Sequence, residues 1–478
     1  MQEASPQQQL NLNFATENPL AERLSGGQFC ILVEIDSPPQ EQPLESALAP
    51  ARSMVKALGK HDLAAGVAVT DRLAADESHD PVEVAGALLE VSGHPVVMHL
   101  SGKGSSTDRV RDLLARAASA GVRNLLAVTG DRSDQHPAAN AFGHIPKHPV
   151  GYRDSVATIL TARQSGQRFQ VGAGVNPYKY NPPDQYLQFY KMMRKLAAGA
   201  DFLVTHVGWD MKKLQEIQWF LQMREVPVPV IARLALLWPD EINNLADGLY
   251  PGVPISRPFA AMLQRESDVN ATQSLAAQLQ RLGLQVAGCR LLGYSGVQLA
   301  GLRDERTMEM VLKRVGESLT AITSYQDWVA AWHDYHSGMD FAPVPGAYYA
   351  FKDLLGPSQQ YYDAEVCQMT DRDLPLPSWR DRVQSQVRRL AFFQATPAVI
   401  RKAMGRVLLG TDPESSQGLA HVLHLNPSGC PKQLVYGACG GSQVDGTCEF
   451  GHVPCFHHRV LALAARRHQV DRLEEAVE

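Results

Sequence analysis

Short apolar runs alternate with longer amphipathic stretches through the first two thirds of this chain. Strand-like runs occur near residues 29, 64, 95, 124, 169, 202, 228 and 287. Amphipathic helical stretches separate them, for example at residues 108–120 and 184–198. Such alternation is typical of parallel β/α units. Eight strands within residues 19–323 predict an α/β fold, a (β/α)8 TIM barrel, which takes about 250 residues.

An open doubly wound sheet is the alternative architecture for this pattern. No G-x-G-x-x-G sequence follows the first strand, so the usual dinucleotide-binding fingerprint of that fold is missing. Residues 136–151 are rich in Pro, His and Gly and predict a loop over the barrel mouth. The barrel is therefore the favoured interpretation.

The pattern changes after residue 323. Aromatic residues become frequent, and helical stretches and a segment rich in Gly and Cys follow. The aromatic segment is 324–362, the helical stretches are 379–393 and 397–409, the Cys segment is 430–455, and a charged helix is predicted at 459–477. Residues 324–478 therefore predict a smaller, mostly helical Cys-rich C-terminal domain. Residues 1–18 are polar and predict a flexible leader.

Composition narrows the class of protein. The chain has 478 residues, 45% hydrophobic and 20% charged, which is ordinary for a globular protein with large cores. A net charge of -5 gives no sign of a nucleic-acid partner. No apolar run is long enough to cross a bilayer, and the N-terminus lacks a signal-peptide core. We expect a cytoplasmic protein with reduced cysteines.

The first strand carries the most informative side chain, Glu34. It lies in an apolar run that begins at Phe29 and stops at Pro38. Because side chains alternate, Glu34 shares one face with Cys30, Leu32 and Asp36. A buried carboxylate either pairs with a Lys or Arg, or has its pKa raised until it holds a proton for donation. The strand alone leaves both alternatives open.

Later strands also end in polar residues. Thr70, His99, Asp131 and His206 each lie at or directly after the end of a predicted strand. Active sites of β/α barrels are assembled at the carboxyl ends of the strands. We therefore expect these four side chains near Glu34, although each one alone could simply be a structural strand-end residue.

Four of the seven cysteines fall in the Cys segment. Cys430, Cys439, Cys448 and Cys455 have the spacing C-x8-C-x8-C-x6-C. Four thiolates are a complete tetrahedral ligand set for zinc or for an iron–sulfur cluster. The spacing lacks a C-x2-C pair, so a reduced cluster without metal is the alternative. The scattered cysteines Cys30, Cys289 and Cys367 are expected in the core.

In these features the chain resembles the methylenetetrahydrofolate reductase family, flavin-dependent β/α barrels of one-carbon metabolism. The resemblance covers roughly residues 19–323 and rests on short landmarks in order. They are Leu24 to Phe29, Val33-Glu34 with Pro38-Pro39, Ala68 to Thr70, Met98 to Leu100, Thr129 to Asp131, and Arg194 to Asp201. The Cys segment resembles the Cys-rich domain that accompanies some bacterial reductases of this family.

The resemblance implies residue roles. Glu34 matches the family's general acid, and Asp131 matches an acid beside flavin and folate. Thr70, His99 and Lys195 match flavin-contacting residues, although Lys195 by itself could lie on a solvated helix face. His206 stands where the best-known members have a folate-binding glutamine. Asp36-Ser37 replaces an aromatic pair and makes the rim more polar.

The implied function is interconversion of 5,10-methylene- and 5-methyltetrahydrofolate. The implied cofactor is FAD, with NAD(P)H as the expected electron donor. The second choice is an electron donor that acts through the Cys-rich domain. The chain is also expected to form a homo-oligomer. A folate-dependent methyltransferase with zinc at the cysteines is a rival, and a non-enzymatic assembly module is another.

Overall fold

Eight parallel strands close into a barrel in the order β1 to β8, which confirms the predicted fold class. The computed structural model describes residues 18–71, 77–132, 150–250, 252–358, 429–451 and 453–474, with isolated positions between 359 and 428. The strands are β1 Cys30–Ile35, β2 Ala64–Val69, β3 Val96–Ser101, β4 Asn124–Val128, β5 Gln170–Val175, β6 Phe202–Thr205, β7 Val230–Ala235 and β8 Gly296–Ala300. β1 pairs with both β2 and β8, which completes the closure.

Helices surround the barrel and continue past it. They are α1 Pro19–Ser25, α2 Leu44–Ala47, α3 Ala49–Leu58, α4 Pro81–Ser92, α5 Thr107–Ser119, α6 Ser155–Gln164, α7 Pro182–Ala197, α8 Met211–Met223, α9 Pro239–Ala246, α10 Arg257–Val269, α11 Ala271–Leu291, α12 Glu305–Ala321, α13 Tyr325–Tyr335 and α14 Phe456–Arg466. No helix in the described ranges has the length and apolar character needed to span a membrane.

The inside of the barrel holds its own apolar cluster. Cys30 and Leu32 of β1 meet Phe202 of β6 and Ile231 of β7 there. Because these four side chains from three strands meet, the face of β1 that carries Cys30 and Leu32 points into the barrel. Glu34 lies on the same face, since side chains alternate along a strand. Leu20 of α1 joins the same cluster, so α1 covers one end of the barrel interior.

The eighth strand was predicted in the wrong place. Residues near 287 belong to the middle of α11, and β8 begins at Gly296. The apolar run around Val286 and Cys289 is buried because α11 packs between the barrel and α13. A Cβ at Gly288 would lie 2.2 Å from the Trp328 ring, which shows how closely these helices meet. A short apolar run cannot by itself distinguish a buried helix from a strand.

The C-terminal part lies against the barrel. Trp328 of α13 donates a hydrogen bond to the Leu284 carbonyl at 2.9 Å, and α14 packs on α7. The predicted terminal helix is shorter than expected, since α14 ends at Arg466 and only a 3-10 turn, Asp471–Leu473, follows in the described residues. Most of the predicted 136–151 loop and of the helices at 379–393 and 397–409 lies outside the described residues, as do Cys367 and the leader. The predicted boundary at residue 323 stays a prediction.

Candidate active site

A cavity of about 130 Å³ lies at the carboxyl ends of the barrel strands. Five of the residues singled out in the sequence line it: Thr70, His99, Asp131, Lys195 and His206. Its floor is apolar, with Leu126, Val128 and Val204 among the lining residues. An apolar floor with a few convergent polar groups is the usual composition of a site for a ring-shaped ligand. The positions that the strand ends predict are therefore brought together.

Glu34 is buried inside the barrel and forms an ion pair with Arg233. The guanidinium donates from Nε at 2.7 Å and from Nη2 at 2.5 Å, one bond to each carboxylate oxygen. Gln298 of β8 donates a third bond at 2.5 Å. Burial raises the pKa of Glu34, but the charge and hydrogen bonds of Arg233 outweigh it, and the pKa lies below its ordinary value. Of the two alternatives for a buried carboxylate, pairing with a cation or holding a proton, Glu34 follows the first.

Arg233 and Gln298 are site residues that the sequence analysis missed. Arg233 is a charged residue within the apolar strand β7, a signal that was available. Gln298 was missed because β8 was placed too early. Arg233 lines the cavity, whereas Glu34 is not among its described lining residues. The carboxylate therefore lies behind the guanidinium as seen from the cavity.

His99 is held neutral beside this pair. Burial lowers its pKa to about 4, although the charge of Glu34 acts in the opposite direction. An ionised Glu34 can only accept, so Gln298 turns its amide nitrogen toward it. The same nitrogen lies 3.5 Å from Nε2 of His99. An amide nitrogen can only donate, so this long contact favours the Nδ1–H form of the neutral ring.

Thr70 connects the ends of β1 and β2. Its hydroxyl accepts from the Ser37 amide at 3.1 Å and donates to Oδ1 of Asp36 at 3.1 Å. Asp36 is exposed to solvent. Partial desolvation of its carboxyl group and the charge of Glu34 raise the pKa of Asp36 to about 6. Asp36 thus holds a proton more readily than Glu34 does.

Lys195 is buried on the side of α7 that faces the barrel. Its ammonium donates to the carbonyl of Gly174 on β5. Burial lowers the pKa of Lys195 to about 7, and the nearby charge of Lys191 adds to the effect. The alternative of a solvated helix face is wrong, since both Lys195 and the adjacent Arg194 are buried.

His206 follows β6 directly. Its amide donates to the Val175 carbonyl at 2.7 Å. Burial lowers the pKa of its ring, while the charge of Asp131 acts to raise it. The imidazole and the carboxylate of Asp131 therefore influence one another across the cavity, as groups sharing one ligand would.

The Cys segment supplies one wall of the cavity. Lys432, Cys439, Gly440 and Gly441 line it together with the barrel residues. Lys432 donates to the Gly130 carbonyl at 2.6 Å and pairs with Glu449 at 2.7 Å. The Gly440 carbonyl accepts from Asn176 of the barrel at 2.9 Å. The C-terminal segment is therefore fixed over the strand ends.

The four cysteines of the segment surround a second, much smaller cavity of about 20 Å³. His457 also lines it, and neither ring nitrogen of this buried histidine has a hydrogen-bond partner among the described residues. Thiols and an unpartnered imidazole are suitable donors for zinc or iron. However, no three His, Cys, Asp or Glu side chains in the described ranges are placed to hold one ion. The donor chemistry fits a metal, while the ligand geometry is not preformed.

Cys30 and Cys289 are fully buried in the core, as predicted. Cys439 differs from them, because its Sγ lies 3.1 Å from Oε1 of Glu449 and it lines both cavities. Lys432 lines both cavities as well. These two residues form the partition between the barrel cavity and the cysteines.

Comparisons with known proteins agree with this arrangement. The sequence model of the family Methylenetetrahydrofolate reductase matches residues 20–315, and that of Methylene-tetrahydrofolate reductase C terminal matches residues 419–478. Methylenetetrahydrofolate reductase 1 of Schizosaccharomyces pombe is 24% identical over 227 residues, 46% of this chain. The match spans 35% of that relative's length.

Solved structures resemble the chain more distantly. An uncharacterised protein from Clostridium thermocellum, which binds two copies of 5-methyl-5,6,7,8-tetrahydrofolic acid, is 13% identical with a TM-score of 0.47, covering 64% of this chain and 100% of that one. Yersinia pestis DHPS with a pterine-sulfa conjugate is 13% identical with a TM-score of 0.33, covering 60% and 94%. These values support no statement about ligands. The Methylenetetrahydrofolate reductase model matches more than half of the sequence, so the chain belongs to the methylenetetrahydrofolate reductase family.

Proposed function

We propose that this protein is a flavin-dependent oxidoreductase that interconverts 5,10-methylene- and 5-methyltetrahydrofolate. The observation that carries the proposal is the convergence of Asp131, His99, Lys195, His206 and Arg233, which pairs with Glu34 behind it, around one cavity in a chain of this family. Bound FAD would supply hydride transfer between NAD(P)H and the folate.

The cofactor would lie in the barrel-mouth cavity. Thr70, His99, Asp131 and Lys195 are the proposed contacts. His99 offers a neutral N–H, and Lys195, with its pKa near 7, offers a cation that forms when a negative charge arrives beside it. Both groups suit a ring whose reduced form gains negative charge. Asp131 sits on the same cavity wall, where its carboxylate would oppose that charge.

The folate would contact Asp131, His206 and the Glu34–Arg233 pair. Glu34 is the proposed catalytic carboxylate, in accordance with the family. Its carboxylate is ionised and paired with Arg233. Arg233 lines the cavity, and the N–H groups that it does not give to Glu34 would suit a carbonyl or carboxylate group of a ligand.

An electron-transfer-coupled reductase is the second candidate function. Cys439 and Lys432 line both the barrel-mouth cavity and the cysteine cavity, so the two proposed centres are adjacent. A redox-active iron–sulfur cluster at Cys430, Cys439, Cys448 and Cys455 would then be the electron donor, whereas zinc would stabilise the segment only. The reaction direction, a cytoplasmic location and a homo-oligomeric state stay predictions.

One experiment tests both candidates. The protein is purified without air, its absorption spectrum and its zinc, iron and sulfide contents are measured, and the reduced protein is mixed with methylenetetrahydrofolate. The proposal expects bound FAD that the folate reoxidises. Reduction by NAD(P)H supports the first candidate. Reduction only by a low-potential donor, with iron and sulfide present, supports the second, and a colourless protein that does not turn over the folate overturns both.

A further inference from the structure

Lys179 is a buried lysine that the proposed reaction does not use. It lies in the loop between β5 and α7, and its side chain is buried beneath the Cys segment. Its ammonium donates to the Ser442 carbonyl at 2.7 Å, and within the described residues it forms no ion pair with a carboxylate. Burying a cation without an anion is strongly unfavourable. Lys179 therefore lacks the counter-charge that its burial calls for.

Other buried lysines of the chain have such a partner. They are Lys191 with Asp154 at 3.1 Å, Lys213 with Glu216 at 2.9 Å and Lys432 with Glu449 at 2.7 Å. Lys195 donates only to a carbonyl, but it lines the barrel-mouth cavity, where the proposed flavin would supply negative charge. Lys179 is not among the described residues that line that cavity, so its counter-charge has to come from elsewhere.

The groups that act electrostatically on Lys179 identify the source. The carboxylates of Asp184 and Glu449 act on Lys179, but each already has a partner of its own. The other two groups are Cys439 and Cys455. A thiol carries no charge, whereas a cysteine bound to a metal is a thiolate. Metal binding at the cysteines would thus create the anion that Lys179 lacks.

The loop after β5 fixes this cation against the Cys segment. Three side chains of the loop donate to alternate carbonyls of the segment: Asn176 to Gly440 at 2.9 Å, Lys179 to Ser442 at 2.7 Å and Asn181 to Val444 at 3.3 Å. The amide of Gly441 lies between the first two and donates to Sγ of Cys439 at 3.4 Å. The ammonium is therefore held beside the stretch that directly follows this cysteine.

We infer that Lys179 is the counter-cation of a metal–thiolate centre at Cys430, Cys439, Cys448 and Cys455. The inference rests on the metal centre of the proposed function. Neither Zn²⁺ nor an iron–sulfur cluster neutralises four thiolates, so negative charge remains on the centre with either one. Lys179 compensates part of that charge without bonding to the metal, as groups outside the ligand set commonly do.

The test removes the charge of Lys179 and keeps a hydrogen-bond donor. Lys179→Gln and Lys179→Arg both retain N–H groups for the Ser442 carbonyl, but only Arg retains the charge. Lys179→Met is a second neutral variant, of similar length. Lys213→Gln is the matched control, because it neutralises a buried lysine whose partner is Glu216. Zinc, iron and sulfide are measured in the purified full-length proteins, together with the metal affinity in competition with a chelator.

We expect both neutral variants to hold the metal about 10–100-fold more weakly than the wild type, and Lys179→Arg to stay close to the wild type. Lys213→Gln should lower the melting temperature and leave the metal affinity unchanged. If the metal is an iron–sulfur cluster, Lys179→Gln should also lower its midpoint potential, since a positive charge beside it is lost.

Wild-type metal affinity in Lys179→Gln and Lys179→Met overturns the inference. An equal loss in Lys179→Arg and Lys179→Gln overturns it as well, because the hydrogen bond or the shape would then matter and not the charge. A wild-type protein without zinc or iron overturns the metal centre and the inference together. None of these readouts depends on flavin or folate, so a failure of the proposed reductase activity is recognised separately, by the reoxidation experiment.

Discussion

Arg233 of β7 and Glu34 of β1 form a two-bond ion pair across the inside of the barrel, with N–O distances of 2.7 and 2.5 Å. Both side chains are buried or nearly so, at 16% and 3% exposure. Breaking a buried pair by removing one partner is far more destabilising than replacing both, because the remaining charge stays uncompensated. The pair therefore makes the central strands sensitive to single substitutions.

Arg233→Met should destabilise the protein by about 3–5 kcal/mol at neutral pH. In the wild type the lowered pKa of Glu34 gives stability that is present above its unfolded pKa and is lost as pH falls through its folded pKa. In the variant, burial alone raises the folded pKa, so the sign reverses and acidification should recover part of the loss. Urea unfolding at two pH values measures this. Arg233→Lys is the control, and a loss equal at both pH values would contradict the expected reversal.

His99 should remain neutral well below the pH at which a free histidine takes up a proton. Its pKa of about 4 results from burial, partly offset by the charge of Glu34. NMR of the ring nitrogens should show the Nδ1–H form at neutral pH and a titration near pH 4. In Glu34→Gln the titration should move lower still. A ring that titrates near its ordinary value of about 6.5 would show that the histidine is solvated.

Lys432→Met should loosen the Cys segment. The substitution leaves Glu449 buried without its cation and removes the donor to the Gly130 carbonyl, next to Asp131. We expect faster hydrogen exchange in residues 429–451 and weaker flavin retention, since this segment forms a wall of the cavity. Lys60→Met, at an exposed position, is the matched control. Unchanged exchange together with unchanged flavin content would refute a coupling between the two cavities.

Metal content should depend on the cysteines of the segment and not on those of the core. Cys439→Ser and Cys455→Ser should each lower both bound metal and melting temperature, because a Gly-rich segment needs an ion to order it. Cys289→Ser, a substitution in the core, should lower the melting temperature with metal content unchanged. If the wild-type protein carries neither zinc nor iron near one equivalent per chain, there is no metal centre at these cysteines.

Seven of the eight strands, the closed-barrel class and the shared face of Cys30, Leu32 and Glu34 follow from the sequence alone, whereas the structure shows that this face points inward. The physical reason is local: a pleated strand turns successive side chains to opposite faces, so Cys30, Leu32 and Glu34 must share a face. The failure at β8 has the same origin. The run around Val286 is apolar because α11 is covered by α13, and covering from both sides removes the periodicity that distinguishes helix from strand.

Only the tertiary structure decided what each polar side chain does. Glu34 meets Arg233 across 199 residues, and Lys432 meets Gly130 across 302. Such pairs depend on how the barrel closes and on where the Cys segment is laid over it. The spacing of residues along the chain indicates neither of these. The sequence predicted an acid on β1, but whether it is ionised or protonated depends on the cation that β7, two strands away in the closed barrel, brings to it.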